Sequence, residues 1–593
     1  MFEPQNDRVD YGKILTPPEG YELDFAVGTT YSLDFDAFIA ACMSLGLSED
    51  TDSTLLNNPV FMLHVLHETS GKIALFCESG QIHAPAKVIP LYALLENSVH
   101  QVSVKLDKSR YASFHPKFWL ISYKNKTGEK KYRLIVLSRN LTFDRSWDVV
   151  IALDGDNVSE RAEKNRPLKD FLAFLQNYIP TTPEGNSKNK RIQELISELD
   201  YVGFKTDDGA FEDFDFIPIG VDGYSIRNYP LFGKEQYYEL LVMSPFLSKT
   251  TVKELNDRWK KTTVKPALFT RRQSLNEVQG SDNFEVYCMR SEVVDGEDMF
   301  GEVDAAQQDI HAKLYMLRQN SAANAELYLG SMNASHNAMY GNVEFLVRLI
   351  CKSADLTLGK LKNQLFCGDE HGKCNPFEKV DVNTVVTESD GENLDIVIKM
   401  LCRSGASARV EQIGEKYNIV LDVPFEHSAY PITVCPLFAK CPQTLKGTMI
   451  FENLALNELS RFYRVTVTGK EKPLERIIVI PTDNMPENRD EAVISSIIPD
   501  TKSFYAYLAF VLGDNPVLDA IEALRILGSG GSDGRTAGAT YSAALYERML
   551  KTAATDPDKL NSVDYIVRAV SKDGIVPDIF LKLYETFQKA VRK

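Results

Sequence analysis

At 593 residues the chain is too long for a single core, and its length suggests three or four domains. Its 44% hydrophobic and 25% charged residues are those of ordinary globular material, and no run approaches the roughly 18–20 apolar residues of a membrane-spanning helix. The formal net charge of −16 argues against a dedicated polyanion coat but leaves nucleic acid open, because binding depends on where basic residues cluster.

The first 25 residues lack a basic segment followed by an apolar one, so no secretory signal is expected. The nine cysteines are scattered and odd in number, which suits reduced thiols better than a disulfide framework. Together these features predict a cytoplasmic protein with no membrane partner.

In chain order, YELDFAVGTTYSLDFDAFIAACMSLG reads as a strand, a small-residue turn and a helix, and GKIALFCESG and SVHQVSVKL read as further strands. SFHPKFWLISYKNKTGEKKYRLIVLSRNLT (113–142) reads as a hairpin, with His115 and Lys117 opening one strand and Ser138 and Asn140 closing the next. WDVVIAL follows, with Asp148 at the head of a strand. PTTPEGNSKNKR (180–191) has linker composition, and KRIQELISELDYV after it reads as a short helix.

The same blocks then recur in the same order. YYELLVMSPFLSKTTVKELNDRW, VKPALFTRRQS and DNFEVYCMRS lead to DIHAKLYMLRQNSAANAELYLGSMNAS (309–335) and VEFLVRL. His115 and His311 lie 196 apart, Asn140 and Asn333 193 apart, and the two ALF runs also 193 apart. Near-constant offsets predict two homologous α/β halves forming one pseudo-twofold unit, each with a mixed sheet covered by helices. Beyond about residue 360, runs such as RVEQIGEKYNIVLDVPF read as a small β-rich domain and the tail as helical. The expected division is 1–180 and 237–358 for the halves, 181–236 for a connecting segment, 359–485 for the β-rich domain and 486–593 for the helical domain.

Residues two apart on a strand share a face, so His115 with Lys117, and His311 with Lys313, point together. In a hairpin the start of one strand lies beside the end of the next, which brings Ser138 and Asn140, or Ser331 and Asn333, to the same edge. Two such clusters in one cleft suit a phosphodiester. Lysines, serines and asparagine amides can hold the non-bridging oxygens, one neutral histidine can attack phosphorus, and the other can protonate the leaving oxygen. Asp148 and Glu344 are placed to orient the imidazoles. The alternative is that each merely caps its strand. No metal or other cofactor is required.

The duplicated H-x-K…S-x-N pattern resembles the phospholipase D superfamily over roughly residues 20–355. Its common form has an aspartate five residues after the lysine, where this chain has Ser122 and Arg318. That departure, with the long spacings between histidine and asparagine, makes the chain look more like the tyrosyl-DNA phosphodiesterase and nuclease branches than the lipid-cleaving ones. The resemblance implies catalysis through phosphohistidine by His115, Lys117, Asn140, His311, Lys313 and Asn333. It implies His115 as nucleophile and His311 as general acid/base, with the exchanged roles as the alternative.

Basic clusters supply the expected nucleic-acid contacts: Lys124, Lys126, Lys130 and Lys131 in the hairpin loop, and Arg271 and Arg272 ahead of the second motif. The predicted substrate is nucleic acid, DNA favoured, with the C-terminal regions as modules for a protein partner or self-association. By analogy with family nucleases carrying extra domains, a bacterial role against foreign DNA fits. A phospholipase and a non-catalytic scaffold are the rival readings.

Weaker signals are read as structural. CGDEHGKC (367–374) lacks four zinc ligands, and LGSGGSDGRTAG (527–538) lacks the GK[ST] of a phosphate loop. His336 is a candidate for outer support of the site. Trp119 and Trp147 are expected in the core, with base stacking as the alternative.

Overall fold

The computed structural model describes residues 7, 9–46, 58–104, 112–144, 146–206, 209–290, 309–321, 323–382, 393–425, 429–513, 545–554, 559–571 and 574–591. The glycine-rich LGSGGSDGRTAG stretch and His427 lie outside them. The class is α/β, as expected.

The first half contributes β1 (Tyr21–Thr30), β2 (Ile73–Glu78), β3 (Ile82–His83), β4 (Val99–Val102), β5 (Phe118–Asn125), β6 (Lys130–Leu137), β7 (Ser146–Trp147), β8 (Val150–Asn157) and β9 (Val202–Thr206). The second contributes β10 (Phe211–Ile219), β11 (Glu239–Met243), β12 (Ala267–Phe269), β13 (Glu285–Met289), β14 (Asp309–Ile310), β15 (Leu314–Arg318), β16 (Ala325–Gly330), β17 (Glu344–Cys351) and β18 (Phe377–Lys379).

The first sheet runs β4-β2-β1-β5-β6-β8-β9, and the second runs β18-β13-β12-β11-β15-β16-β17-β10. The shared core of six strands has one topology in both. Three parallel strands come first, followed by an antiparallel meander. The parallel strands are buried on both faces, which is why IALFCE and ALF are continuous apolar runs. The two sheets share one apolar core, in which the Phe118 and Phe345 rings lie 4.9 Å apart.

Three expectations about organisation are corrected. The 180–191 stretch is no linker, because Thr182 caps a helix over Pro183–Glu198 through the Gly185 N–H, with Pro at its start where a missing N–H costs nothing. Polar composition misled because this helix buries only a narrow stripe, including Ile192 and Leu195. The 181–236 segment also supplies an edge strand to each sheet, β9 beside β8 and β10 beside β17. The second half does not stop at 358, since the helix Leu358–Leu365 joins the core and β18 pairs with β13.

Past these sheets come β19 (Ser407–Ile413), β20 (Lys416–Asp422), β21 (Ile432–Pro436), β22 (Gln443–Thr444), β23 (Thr448–Leu454), β24 (Phe462–Thr468), β25 (Pro473–Val479) and β26 (Thr482–Asp483). They form a four-stranded sheet, β23-β20-β19-β26, and a five-stranded one, β22-β21-β24-β25-β3. The last strand of that second sheet is borrowed from the first half, Ile82 pairing with Ile477 and His83 with Arg476. The C-terminal helices are not a separate body either. Phe504, Tyr507, Ile566 and Phe580 share one apolar cluster with Phe38, Phe61 and Leu63 of the first half. Among the described residues no helix is long and apolar enough to cross a membrane.

Candidate active site

His115 and Lys117 immediately precede β5, and His311 and Lys313 immediately precede β15. Ser138 and Ser331 follow β6 and β16, so the hairpin geometry brings both ends together at one edge of each sheet. Gly330 holds a positive φ of 147°, and a Cβ there would lie 2.4 Å from the carbonyl oxygen of Phe345. Only glycine fits the close approach that delivers Ser331 to the edge.

The decisive feature is a crossing between the halves. His115 Nδ1 lies 2.9 Å from Glu344 Oε2, and His311 Nδ1 lies 3.0 Å from Asp148 Oδ1. Each imidazole is therefore held by the carboxylate of the opposite half. Backbone contacts repeat the exchange. The His115 N–H donates to the Val343 carbonyl at 2.9 Å, and the His311 N–H donates to the Trp147 carbonyl at 3.0 Å. β14 pairs with β7, matching the bridge between Phe114 and Val343 on the other side. An N–H donated from Nδ1 to a carboxylate leaves Nε2 unprotonated in the neutral ring and free to act.

The serines sit behind the carboxylates. Ser138 Oγ donates to Asp148 at 2.7 Å and accepts the Val149 N–H at 2.9 Å. Ser331 Oγ donates to Glu344 and accepts the Phe345 N–H at 3.0 Å. Expected at the phosphate, both hydroxyls are instead occupied in fixing the groups that orient the histidines. The lysines are fully buried, and Lys117 Nζ donates to the His115 carbonyl at 3.0 Å, Lys313 Nζ to that of His311 at 2.6 Å.

Burial sets the protonation states. It holds His115 down at about 4, with Lys117 and Lys313 adding to it against the opposing pull of Glu344. It holds His311 at about 3, Lys313 adding to the effect. Both imidazoles are thus neutral at pH 7. Burial also pushes Lys313 down to about 7 despite Asp148 and Glu344, and pushes Lys117 well below the usual range, helped by the charge of Lys313. Burial would raise Asp148, but His311 and Lys313 outweigh it and hold its carboxyl below the carboxylate range. An anion arriving here would favour the charged form of all four nitrogen groups.

Asn140 and Asn333 follow the serines. Asn333 Oδ1 lies 3.5 Å from Ser244 Oγ, whereas Asn140 Oδ1 is buried without a hydrogen bond among the described residues.

Several supporting residues escaped the sequence reading. Thr30 ends β1 and Ser244 directly follows β11, and each hydroxyl accepts the N–H of the residue after the asparagine, Leu141 and Ala334, at 2.9 Å. Asp34 and Ser248 play a second matched role, accepting the N–H groups of Phe143 and His336. Aligning strand ends between the halves would have found them, but the two copies of this block stand at a different offset from the ALF runs. The Tyr31 ring lies 5.0 Å from that of His115.

The nucleic-acid candidates divide. Arg271 lies beside the site: its Nε donates to the Ile310 carbonyl at 2.8 Å, one residue from His311, and its guanidinium sits 4.9 Å from the ring of exposed Phe246. Arg272 pairs with Glu378 on the surface. The hairpin lysines are corrected. Lys124 and Lys130 are partners near the far end of the hairpin, seven strand residues or about 23 Å from Lys117. Lys130 is also bound by Asp24 and Glu198, at 2.8 and 2.7 Å, and Lys131 lies over the Tyr21 ring. The geometry that gathers the strand ends at the site necessarily sends their connecting loop, with Lys126, the other way.

Trp119 is buried against Gly28, with its Nε1 donating to the Tyr11 hydroxyl, and Trp147 packs edge-on to Phe377. His336 is exposed, and its ring lies 4.8 Å from that of Tyr340 at a tilt of 54°. Among the described residues no group of three or more His, Cys, Asp or Glu gathers to hold a metal ion.

No family model and no curated protein sequence matches the chain. Among solved structures it is similar to a mutant of the yeast tyrosyl-DNA phosphodiesterase, at 12% identity and a TM-score of 0.36, covering 60% of this chain and 89% of that one. It is also similar to a polyphosphate kinase from Porphyromonas gingivalis, at 11% identity and a TM-score of 0.31, covering 64% of this chain and 49% of that one. At these scores neither likeness bears on the chemistry, which rests on the contacts above.

Proposed function

We propose that the chain is a phosphodiesterase of the phospholipase D superfamily that cleaves nucleic acid, DNA favoured, through a phosphohistidine. The observation that carries this reading is the crossed pair, His115 on Glu344 and His311 on Asp148, with Lys117 and Lys313 buried beside them. Neither half alone holds a complete histidine–carboxylate pair, so the site is one unit with two Nε2 atoms available.

In the reaction, the bound phosphodiester anion raises the pKa of His311 so that its Nε2 takes up a proton from solvent. His115 Nε2 then attacks phosphorus, and the bond to the leaving oxygen breaks as that oxygen takes the proton from His311. Water then attacks the phosphohistidine, His311 accepts its proton, and the phosphorus–nitrogen bond breaks. Lys117 and Lys313, with the amides of Asn140 and Asn333, stabilise the equatorial oxygens. Support for nucleic acid over lipid comes from Arg271 and exposed Phe246 beside His311, a cation and a ring suited to phosphate and base.

The test is incubation of wild type and His311→Ala with labelled single- and double-stranded DNA and RNA in EDTA. Wild type should cleave, and the variant should accumulate a covalent adduct on His115. Strict dependence on magnesium, or an adduct on another residue, would sink the reading.

A further inference from the structure

The two histidines are gripped alike by the opposite half, yet their second braces differ. By the ALF runs, Glu78 at the end of β2 and Arg271 after β12 occupy matched positions. Arg271 donates to the Ile310 carbonyl and sits 3.3 Å from the Asp309 carboxylate, so the brace on His311 comes from its own half. Glu78 carries the opposite charge. Its Oε2 accepts the Phe114 N–H at 2.6 Å, one residue before His115, and its Oε1 lies 2.7 Å from the ammonium of Lys399.

Lys399 belongs to the helix Leu394–Cys402 of the C-terminal β region, and its ammonium also donates to Ser113 Oγ at 2.7 Å. That helix buries Leu394, Ile398 and Leu401 in its own region's core. Asp395, Lys399 and Arg403, spaced by four, form a second stripe that faces the first half. Asp395 accepts from Gln81 at 3.1 Å, and Arg403 donates to the carbonyls of Val104 and Ala112 at 3.1 and 3.0 Å. The stripe grips Glu78, Gln81 three residues after it, and the segment that carries His115. Glu78 is only 1% exposed, so its charge needs Lys399 to be tolerated in place.

We propose that Lys399 is a positioning residue for His115, so that the C-terminal β region completes the catalytic unit on the nucleophile's side. The inference rests on the phosphodiesterase reading above. Without Lys399 the Glu78–Phe114 and Ser113 anchors loosen, and His115 shifts while His311, braced by Arg271, stays. A displacement of about 1 Å at a reacting group can cost roughly a hundredfold in rate.

The experiment uses the full chain with bis(p-nitrophenyl) phosphate in EDTA, and NMR of the labelled imidazoles. Lys399→Met should lower kcat at least about tenfold with KM within about threefold, and Lys399→Arg should restore most of it. Met400→Gln, on the exposed face of the same helix, should match wild type. The His115 signal should move in Lys399→Met and that of His311 should not. Wild-type kcat in Lys399→Met, a loss carried by KM, or an unmoved His115 signal would overturn the proposal. Should wild type hydrolyse no diester, the phosphodiesterase reading fails and the imidazole signals alone decide the brace. If Lys399→Met loses its cooperative melting transition, Glu78→Gln/Lys399→Met, neutral at both positions, carries the same readouts.

Discussion

Each site histidine takes its tautomer from a carboxylate of the other half, and the serine behind that carboxylate belongs to the same hydrogen-bonded chain. Asp148→Asn and Glu344→Gln should each leave the fold intact yet lower kcat by roughly 10²–10⁴-fold, because an amide can present a donor where an acceptor is needed. Steady-state kinetics on a small diester checks this. Burial holds Lys313 at about 7, so its ammonium, and with it phosphate binding, is lost as pH rises through 7. KM should therefore climb from pH 6.5 to 8.5 in wild type, and Lys313→Arg should flatten that climb. Stability follows the histidines. Their folded values of about 4 and 3 lie below the ordinary ~6.5, so the stability they contribute is present above 6.5 and is lost as pH falls through the folded values. At this scale the histidines, lysines and carboxylates were legible from type and spacing. The serines were legible as site residues, but their contacts were not, since a hydroxyl two residues from an asparagine can face either a phosphate or a carboxylate.

Among the elements, the β5–β6 hairpin makes the sharpest point. Its basic loop stands in sequence between two site motifs, and in space at the opposite end of the strands from both. Lys124→Glu and Lys126→Glu should change KM for an oligonucleotide less than about twofold, whereas Arg271→Ala should raise it at least about fivefold. Fluorescence anisotropy at low and moderate salt separates the two, since a lost phosphate contact also lowers the salt slope. HPK and HAK lie just ahead of β5 and β15 rather than within them, so strand alternation does not by itself set where their side chains point. The 180–191 segment was misread because helix content there depends on Thr182 capping and on a narrow buried stripe, neither of which composition reports.

For the whole molecule, the C-terminal third is woven into the first half. β3 extends a C-terminal sheet, and Phe38, Phe61 and Leu63 share a cluster with Phe504, Tyr507 and Phe580. A chain truncated after residue 485 should expose that apolar surface and lose the cooperative melting of the first half, not merely a separable module. Calorimetry or limited proteolysis of the truncated chain decides it, and a sharp transition at the full-length temperature would contradict it.

The duplication, the α/β class and the paired His-x-Lys motifs were determined by sequence alone, because strand periodicity and repeat offsets are local properties of the chain. What only the tertiary structure decided is who holds whom: the crossing of carboxylates between halves, and the grip of Lys399 on the segment before His115. Those depend on contacts between residues hundreds of positions apart, where burial and packing, rather than any pattern along the chain, select the partner.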